Sequence, residues 1–396
     1  YFMNKYLTLL VVLMLLSCSK EDFSPFKNYI GYLKANDSIN IPFNFKLSDS
    51  LMTITNSKES IKLILKNNND SIRVESPFFE DFLMYVNLND SINGYYYNNS
   101  LNRKILFFAY PGENRFNFDE KFDNFDGRWK VILDHEGDKE FNSEMIIYQE
   151  KNLISGTVRT ETGDYGFMEG AIDGNKISMS NFNGYRGYMI NGYLKNDTIK
   201  GYLYRGNYDI KKFIAFRDLE FKLSDPYGLT KMKKGYEKFI FSFKNADGKI
   251  ISNSDKKFAG KVNLIQIMGS WCPNCLDESR YLSELSKQYE NINILAIAFE
   301  FADSEEKALK NIKKLKNNLK LDYDILLAQF NTSSKVEALS KLPSLDTLIS
   351  YPTLIVVDKN QKVRRIHTGF NGPATGEKYI NFKKEFEAFL KGLISE

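Results

Sequence analysis

Seven residues, Val262-Asn-Leu-Ile-Gln-Ile-Met268, form a mostly apolar run that stops at Gly269-Ser270 and is followed at once by Trp271-Cys-Pro-Asn-Cys275. A short aliphatic and β-branched run closed by glycine predicts a buried strand. Pro273 suits the first turn of a helix, where its missing N–H would have had no partner. The junction therefore predicts a strand, a sharp corner and a helix, with Cys272 at the helix tip and Cys275 one turn inside. Unpaired backbone N–H groups and the helix dipole favour an anionic sulfur at that tip. A dithiol exchanges disulfides when one sulfur is a reachable thiolate and the other waits beside it. On this reading Cys272 attacks and Cys275 resolves.

Only three cysteines occur, and the third, Cys18, lies far away near the N-terminus. None is left for a structural disulfide, and a C-x-x-C loop is too small to staple a fold usefully. Structural zinc needs about four ligands, and besides these cysteines the chain offers only His135 and His367, more readily explained as turn or strand residues. A c-type haem site would need histidine directly after the second cysteine, but Leu276 stands there. A peroxiredoxin would place threonine where Gly269 is found. No metal, nicotinamide or flavin site is visible, so no cofactor is expected. With 54 basic against 50 acidic residues and no dominant basic block, nucleic acid is not an expected partner.

The N-terminus has the form of an export address. Met3 is the expected start, with Tyr1 and Phe2 upstream of it. Lys5 precedes an apolar run from Leu7 to Leu16, interrupted only by Thr8. That is shorter than the roughly 20 residues a spanning helix needs, and it suits a cleavable signal. Its end, Leu15-Leu16-Ser17-Cys18, resembles the lipobox of bacterial lipoproteins, which implies a signal peptide over 1–17 and a lipidated Cys18 that begins a tether over 18–27. The expected location is the cell envelope, lipid-anchored and facing the periplasm. Ser19-Lys-Glu-Asp22 also resembles surface-export signals, which keeps the outer surface open as the other face.

The expected architecture is α+β and multidomain. Residues 28–222 show period-2 alternation and Asn, Asp and Gly turns, which predict an antiparallel all-β region. Asn89-Asp-Ser-Ile-Asn-Gly-Tyr95 is echoed by Asn196-Asp-Thr-Ile-Lys-Gly-Tyr202, and each copy is followed by an apolar strand. Two similar β units, 28–124 and 125–222, follow from this, either as two sandwiches or sharing one barrel. Trp129 and the Asp164-Tyr165 turn are read there as packing and turn residues. Pro226, Gly228 and Gly235 mark a linker over 223–238. From 239 to 396 strands and helices alternate, as in an α/β layer fold. The Lys-rich helix over 304–318 is read as a solvated face and Glu300 as a rim charge without a role.

Ser270-Trp-Cys-Pro-Asn-Cys275, the helix after it and Tyr351-Pro352-Thr353 resemble the TlpA-like branch of thioredoxin-fold proteins, the membrane-tethered disulfide reductases of bacterial envelopes. The resemblance covers about 239–396, while the β region resembles N-terminal extensions found fused to such domains. It implies that Pro352 is cis and packs opposite the dithiol, and that Trp271, Tyr351 and Pro352 line the substrate groove. Glu278 matches the family's active-site glutamate. At i+3 from Cys275 it shares a helix face with that sulfur and could relay its proton. Gln266 stands where thioredoxins proper carry a buried aspartate, which leaves Glu278 the better proton carrier. Pro-Asn between the cysteines differs from the better-known pairs, so the potential is not legible. Residues 329–350 exceed the minimal fold and suggest a helical insertion beside the groove. The function implied is a thiol–disulfide oxidoreductase that reduces protein disulfides of the envelope through a mixed disulfide, with a membrane dithiol protein as electron donor. The alternative is an envelope binding lipoprotein whose β units hold the partner while the thioredoxin domain turns over little.

Overall fold

The computed structural model describes residues 27–88, 91–99, 102–117 and 121–396; Cys18 and the export signal lie outside them. Eight antiparallel strands between Lys27 and Pro111 close into a barrel, the first (Lys27–Lys34) pairing with the last (Arg103–Pro111). Along Leu51–Asn56 every second residue is buried, the pleat's own period. Such alternation sends Phe43, Phe45, Tyr85 and Phe107 into one aromatic core. A second ring runs from Gly127 to Arg217. It closes because Phe141–Glu150 pairs with both Gly127–Leu133 and Leu153–Thr160, and Trp129 sits fully buried in its core. The β region is therefore two separate barrels, and among the described residues each ring strand has a neighbour on both sides, the short Gly163–Asp164 branch apart.

The two copies of the sequence repeat occupy the same place, the last two strands of each barrel: Ser91–Asn98 with Arg103–Pro111, and Thr198–Arg205 with Asp209–Arg217. Gly94 and Gly201 lie where the adjacent strand passes closest. A Cβ at either would run into a neighbouring carbonyl, that of Met84 or Asn191. The barrels also pack on each other. Lys176–Phe182 is buried on nearly its whole length because the first barrel covers its outer face, with Ser180 Oγ donating to Pro42 O at 2.5 Å and Asn56 Nδ2 to Phe182 O at 3.0 Å. Arg115, buried at this junction, pairs with Glu169 at 2.7 Å.

The C-terminal α/β domain is built on a seven-stranded sheet in the order Ile250–Ser252, Ser242–Asn245, Asp324–Gln329, Ile292–Phe299, Val262–Met268, Thr353–Val357, Val363–Thr368. Ile292–Phe299 lies parallel to Val262–Met268, and Thr353–Val357 antiparallel to it. The central strand is buried at all seven positions, as an apolar run without alternation requires when both faces are covered. Asp324–Gln329 is a strand without a local signature, since its short run, Ile-Leu-Leu-Ala, has no period of its own. The segment read as a linker carries a short helix, Pro226–Leu229, and is held to the domain where Thr230 N donates to Thr368 Oγ1 at 3.1 Å. The Glu305–Leu319 helix buries Ala308, Ile312 and Leu315. Its polar side is not simply solvated: Lys314 Nζ donates to Phe79 O at 2.8 Å and Asn318 Nδ2 to Pro77 O at 2.6 Å, fastening the first barrel to this domain. Among the described residues no helix is long and apolar enough to cross a membrane.

Candidate active site

Cys272 is the N-cap of the Pro273–Gln288 helix, with Pro273 in its first turn. The extended backbone of Cys272 turns its Sγ back over the helix, where it accepts from Cys275 N at 3.2 Å. An N-cap acceptor of this kind satisfies one of the orphan N–H groups of the first turn. The two cysteines form a disulfide with Cα atoms 5.2 Å apart. Cys275 is fully buried, whereas Cys272 is 6% exposed and lines a chamber described below. The Tyr351–Pro352 peptide is cis, and Tyr351 O lies 3.6 Å from Cys272 Sγ. Trp271 sits edge-on to Tyr351, ring centroids 5.8 Å apart, and donates through Nε1 to Phe299 O at 3.0 Å. Cys272, Trp271, Tyr351 and Pro352 thus meet, although Tyr351 lies 79 positions from Cys272 in the chain.

Glu278 lies one turn beyond Cys275 and is fully buried. Neither carboxylate oxygen has a hydrogen-bond partner among the described residues. Burial pushes its carboxyl up to about 8, and nearby Gln266 offsets only part of this. Gln266 is itself occupied: Nε2 donates to Cys275 O at 3.1 Å, and Oε1 accepts from Ser279 Oγ at 2.9 Å. Burial therefore moves the carboxyl one turn beyond the resolving cysteine toward neutral pH, the range useful for general acid–base work.

Residues that no local pattern marked also meet at this site. Glu300 is not a rim charge. It is 1% exposed, and its carboxylate accepts from Ser270 N at 2.8 Å and from Ser270 Oγ at 2.5 Å. Those bonds fix the corner that delivers Trp271 and Cys272, while burial raises the Glu300 carboxyl to about 7. Glu300→Ala would strand two buried donors, so urea unfolding should show a loss of about 1–3 kcal/mol; an unchanged midpoint would mean that the clamp contributes nothing.

The Asp164-Tyr165 turn is likewise more than a turn. In the orientation that satisfies both partners, the Asn274 amide donates to Asp164 O at 3.1 Å and accepts from Asp164 N at 3.2 Å. The Asp164 side chain accepts from Gly372 N at 2.6 Å, and Ser350 Oγ donates to Thr162 O at 3.3 Å. The second barrel thus rests on Asn274, one of the two residues between the cysteines. The result is a chamber of about 660 Å³ walled by both barrels and the α/β domain, with Cys272, Trp271 and Tyr351 on one side. Lys335, in the helical insertion Lys335–Ser340, and Ser350 also line it.

Residues 234–380 match the family model described as Redoxin. The C-terminal domain is thioredoxin-like, and its C-x-x-C pair lies in the stretch that is similar to proteins named thiol–disulfide oxidoreductases. Over 139 residues the chain is 25% identical to the thioredoxin-like protein YneN of Bacillus subtilis, a stretch covering 35% of this chain and 73% of that one. It is 29% identical over 133 residues to the thiol-disulfide oxidoreductase ResA of Bacillus thuringiensis, covering 34% and 68% respectively. Among solved structures, the thioredoxin domain of a thiol-disulfide oxidoreductase from Bacteroides vulgatus aligns with a TM-score of 0.29 at 19% identity, over 39% of this chain and 99% of that domain.

Proposed function

We propose that the chain is a TlpA-like thiol–disulfide oxidoreductase that reduces disulfides of envelope clients through a mixed disulfide on Cys272, resolved by Cys275. The observation that carries this reading is the asymmetry of the pair: one sulfur caps a helix and faces a chamber, the other is sealed one turn behind it. The reduced Cys272 thiolate attacks the client disulfide, which splits and leaves one client sulfur bonded to Cys272. Cys275 then attacks Cys272, closing the protein disulfide and freeing the second client thiol. Glu278 takes the proton that Cys275 gives up. The carbonyl of Tyr351, beside Cys272, presents backbone to the client. A membrane dithiol protein restores the dithiol, and a lipid on Cys18 holds the chain at the envelope membrane, on its periplasmic face.

Insulin and a low-molecular-weight disulfide should be tried side by side. Wild type should reduce at least one of them and Cys272→Ser neither; equal rates in the two proteins would refute the exchange reading. Cys18→Ser should move the chain from the membrane fraction to the soluble one, and continued membrane association would count against the lipid anchor.

A further inference from the structure

The dithiol does not stand on an open face. The 160–166 segment of the second barrel lies across it, tied through Asn274, Ser350 and Gly372. The approach is so close that a Cβ on Gly163 would overlap Asn274, and one on Gly369 would come within 2.8 Å of Glu161 O. Across the chamber the first barrel is fastened by Lys314 and Asn318, and Arg280 stands over the Phe78 ring at 5.4 Å. With Cys272 only 6% exposed, little of the dithiol's face is left open to a folded protein. What remains is about 660 Å³, within the roughly 300–1,000 Å³ range of small-ligand sites.

The walls of this space carry both signs of charge. Arg186, Arg205 and Lys335 line it, as do Glu59, Asp164 and Asp277. Arg205 pairs with Asp209 through its Nη2, but it and Arg186 each keep a buried Nε without a partner among the described residues. Lys335 stands 5.8 Å from the Tyr351 ring and has no carboxylate partner among the described residues. On the acidic side, Asp277 pairs with Arg280 at 2.7 Å, while burial first and the Asp277 charge second raise Glu59 to about 7 and Asp164 to about 6, so both carboxyls would gain from a further cation. Unmet donors and crowded carboxylates in one chamber suit a ligand bearing carboxylate and ammonium together.

We propose that the chamber is the substrate site and takes a zwitterionic disulfide of amino-acid or short-peptide size, in preference to the disulfide of a folded protein. This rests on the exchange reading above and narrows its client. The substrate RS–SR gains two electrons and two protons and leaves as two RSH. Cys272 and Cys275 lose the same electrons and protons as their S–S bond forms.

The full chain, reduced and freed of reductant, should be mixed in single turnover with glutathione disulfide, with neutral bis(2-hydroxyethyl) disulfide, and with insulin. Remaining protein thiols are counted by alkylation and mass spectrometry. Glutathione disulfide should oxidise the dithiol about tenfold faster than either of the others, the gain expected of one or two charge-assisted contacts. Lys335→Gln and Arg186→Gln, made separately, should each shrink the advantage of glutathione disulfide over the neutral disulfide. Insulin as fast as glutathione disulfide, a neutral disulfide as fast as the charged one, or an advantage untouched by both substitutions would overturn the proposal. Failure to oxidise with any of the three would instead remove the exchange reading beneath it.

Discussion

Cys275→Ala is expected to stall the chain after its first step, with Cys272 joined to one half of the client. In wild type the resolving sulfur is held one helical turn from its target, and well-oriented intramolecular attack reaches effective concentrations of about 10⁵ M or more. An external thiol at millimolar concentration replaces it poorly, so turnover should fall by at least roughly 10³-fold while the first half-reaction still proceeds. Intact-protein mass spectrometry of the variant after exposure to a disulfide checks this. An adduct on Cys272 is the expected product, and near-normal turnover would mean that Cys275 is not the resolving sulfur.

Glu278→Gln should act on both rate and stability. In the wild type the carboxyl keeps its proton up to about pH 8, so the fraction able to accept a proton from Cys275 grows as pH rises through that value. Glutamine has no such form. Turnover should fall by about 10²-fold, and the rise near pH 8 should vanish from the rate profile. A profile unchanged in shape would leave Glu278 without a proton role.

The stability effect follows from the same raised value. An unfolded glutamate releases its proton near pH 4.5, whereas the folded one holds it to about 8. Between these values the native state binds the extra proton. The contribution is therefore full below about 4.5 and lost as pH rises toward 8, on the order of a few kcal/mol across the window. Glu300, Glu59 and Asp164 slope the same way. Urea unfolding from pH 5 to 8 should show wild type losing stability faster than Glu278→Gln. Parallel curves would mean that the carboxyl is not held neutral by burial.

The dithiol corner was legible because it is local. An apolar strand, a glycine stop and a proline one place past a cysteine act within about a dozen residues. The alternation of the β region was legible for the same reason, as was the repeat, whose two copies end their barrels alike. What escaped depends on chain segments meeting late. Nothing around Asp164 distinguishes a turn that merely reverses a hairpin from one that lands on Asn274, 110 positions on. Glu300 looked like an exposed strand end until Ser270 was brought to it. Lys314 sits on a lysine-rich helix whose sequence fits a solvated face, yet a carbonyl of the first barrel claims it. Closure of the two rings, too, is a matter of which strands pair, and alternation alone does not specify the partner.

The central claim is an order of events, with Cys272 meeting the client and Cys275 shielded behind it. Timed alkylation of the reduced chain at neutral pH, with each cysteine followed by peptide mass spectrometry, tests it most directly. Cys272 should be modified first, with Cys275 lagging far behind. Cys275 leading, or both sulfurs remaining unmodified, would contradict the account.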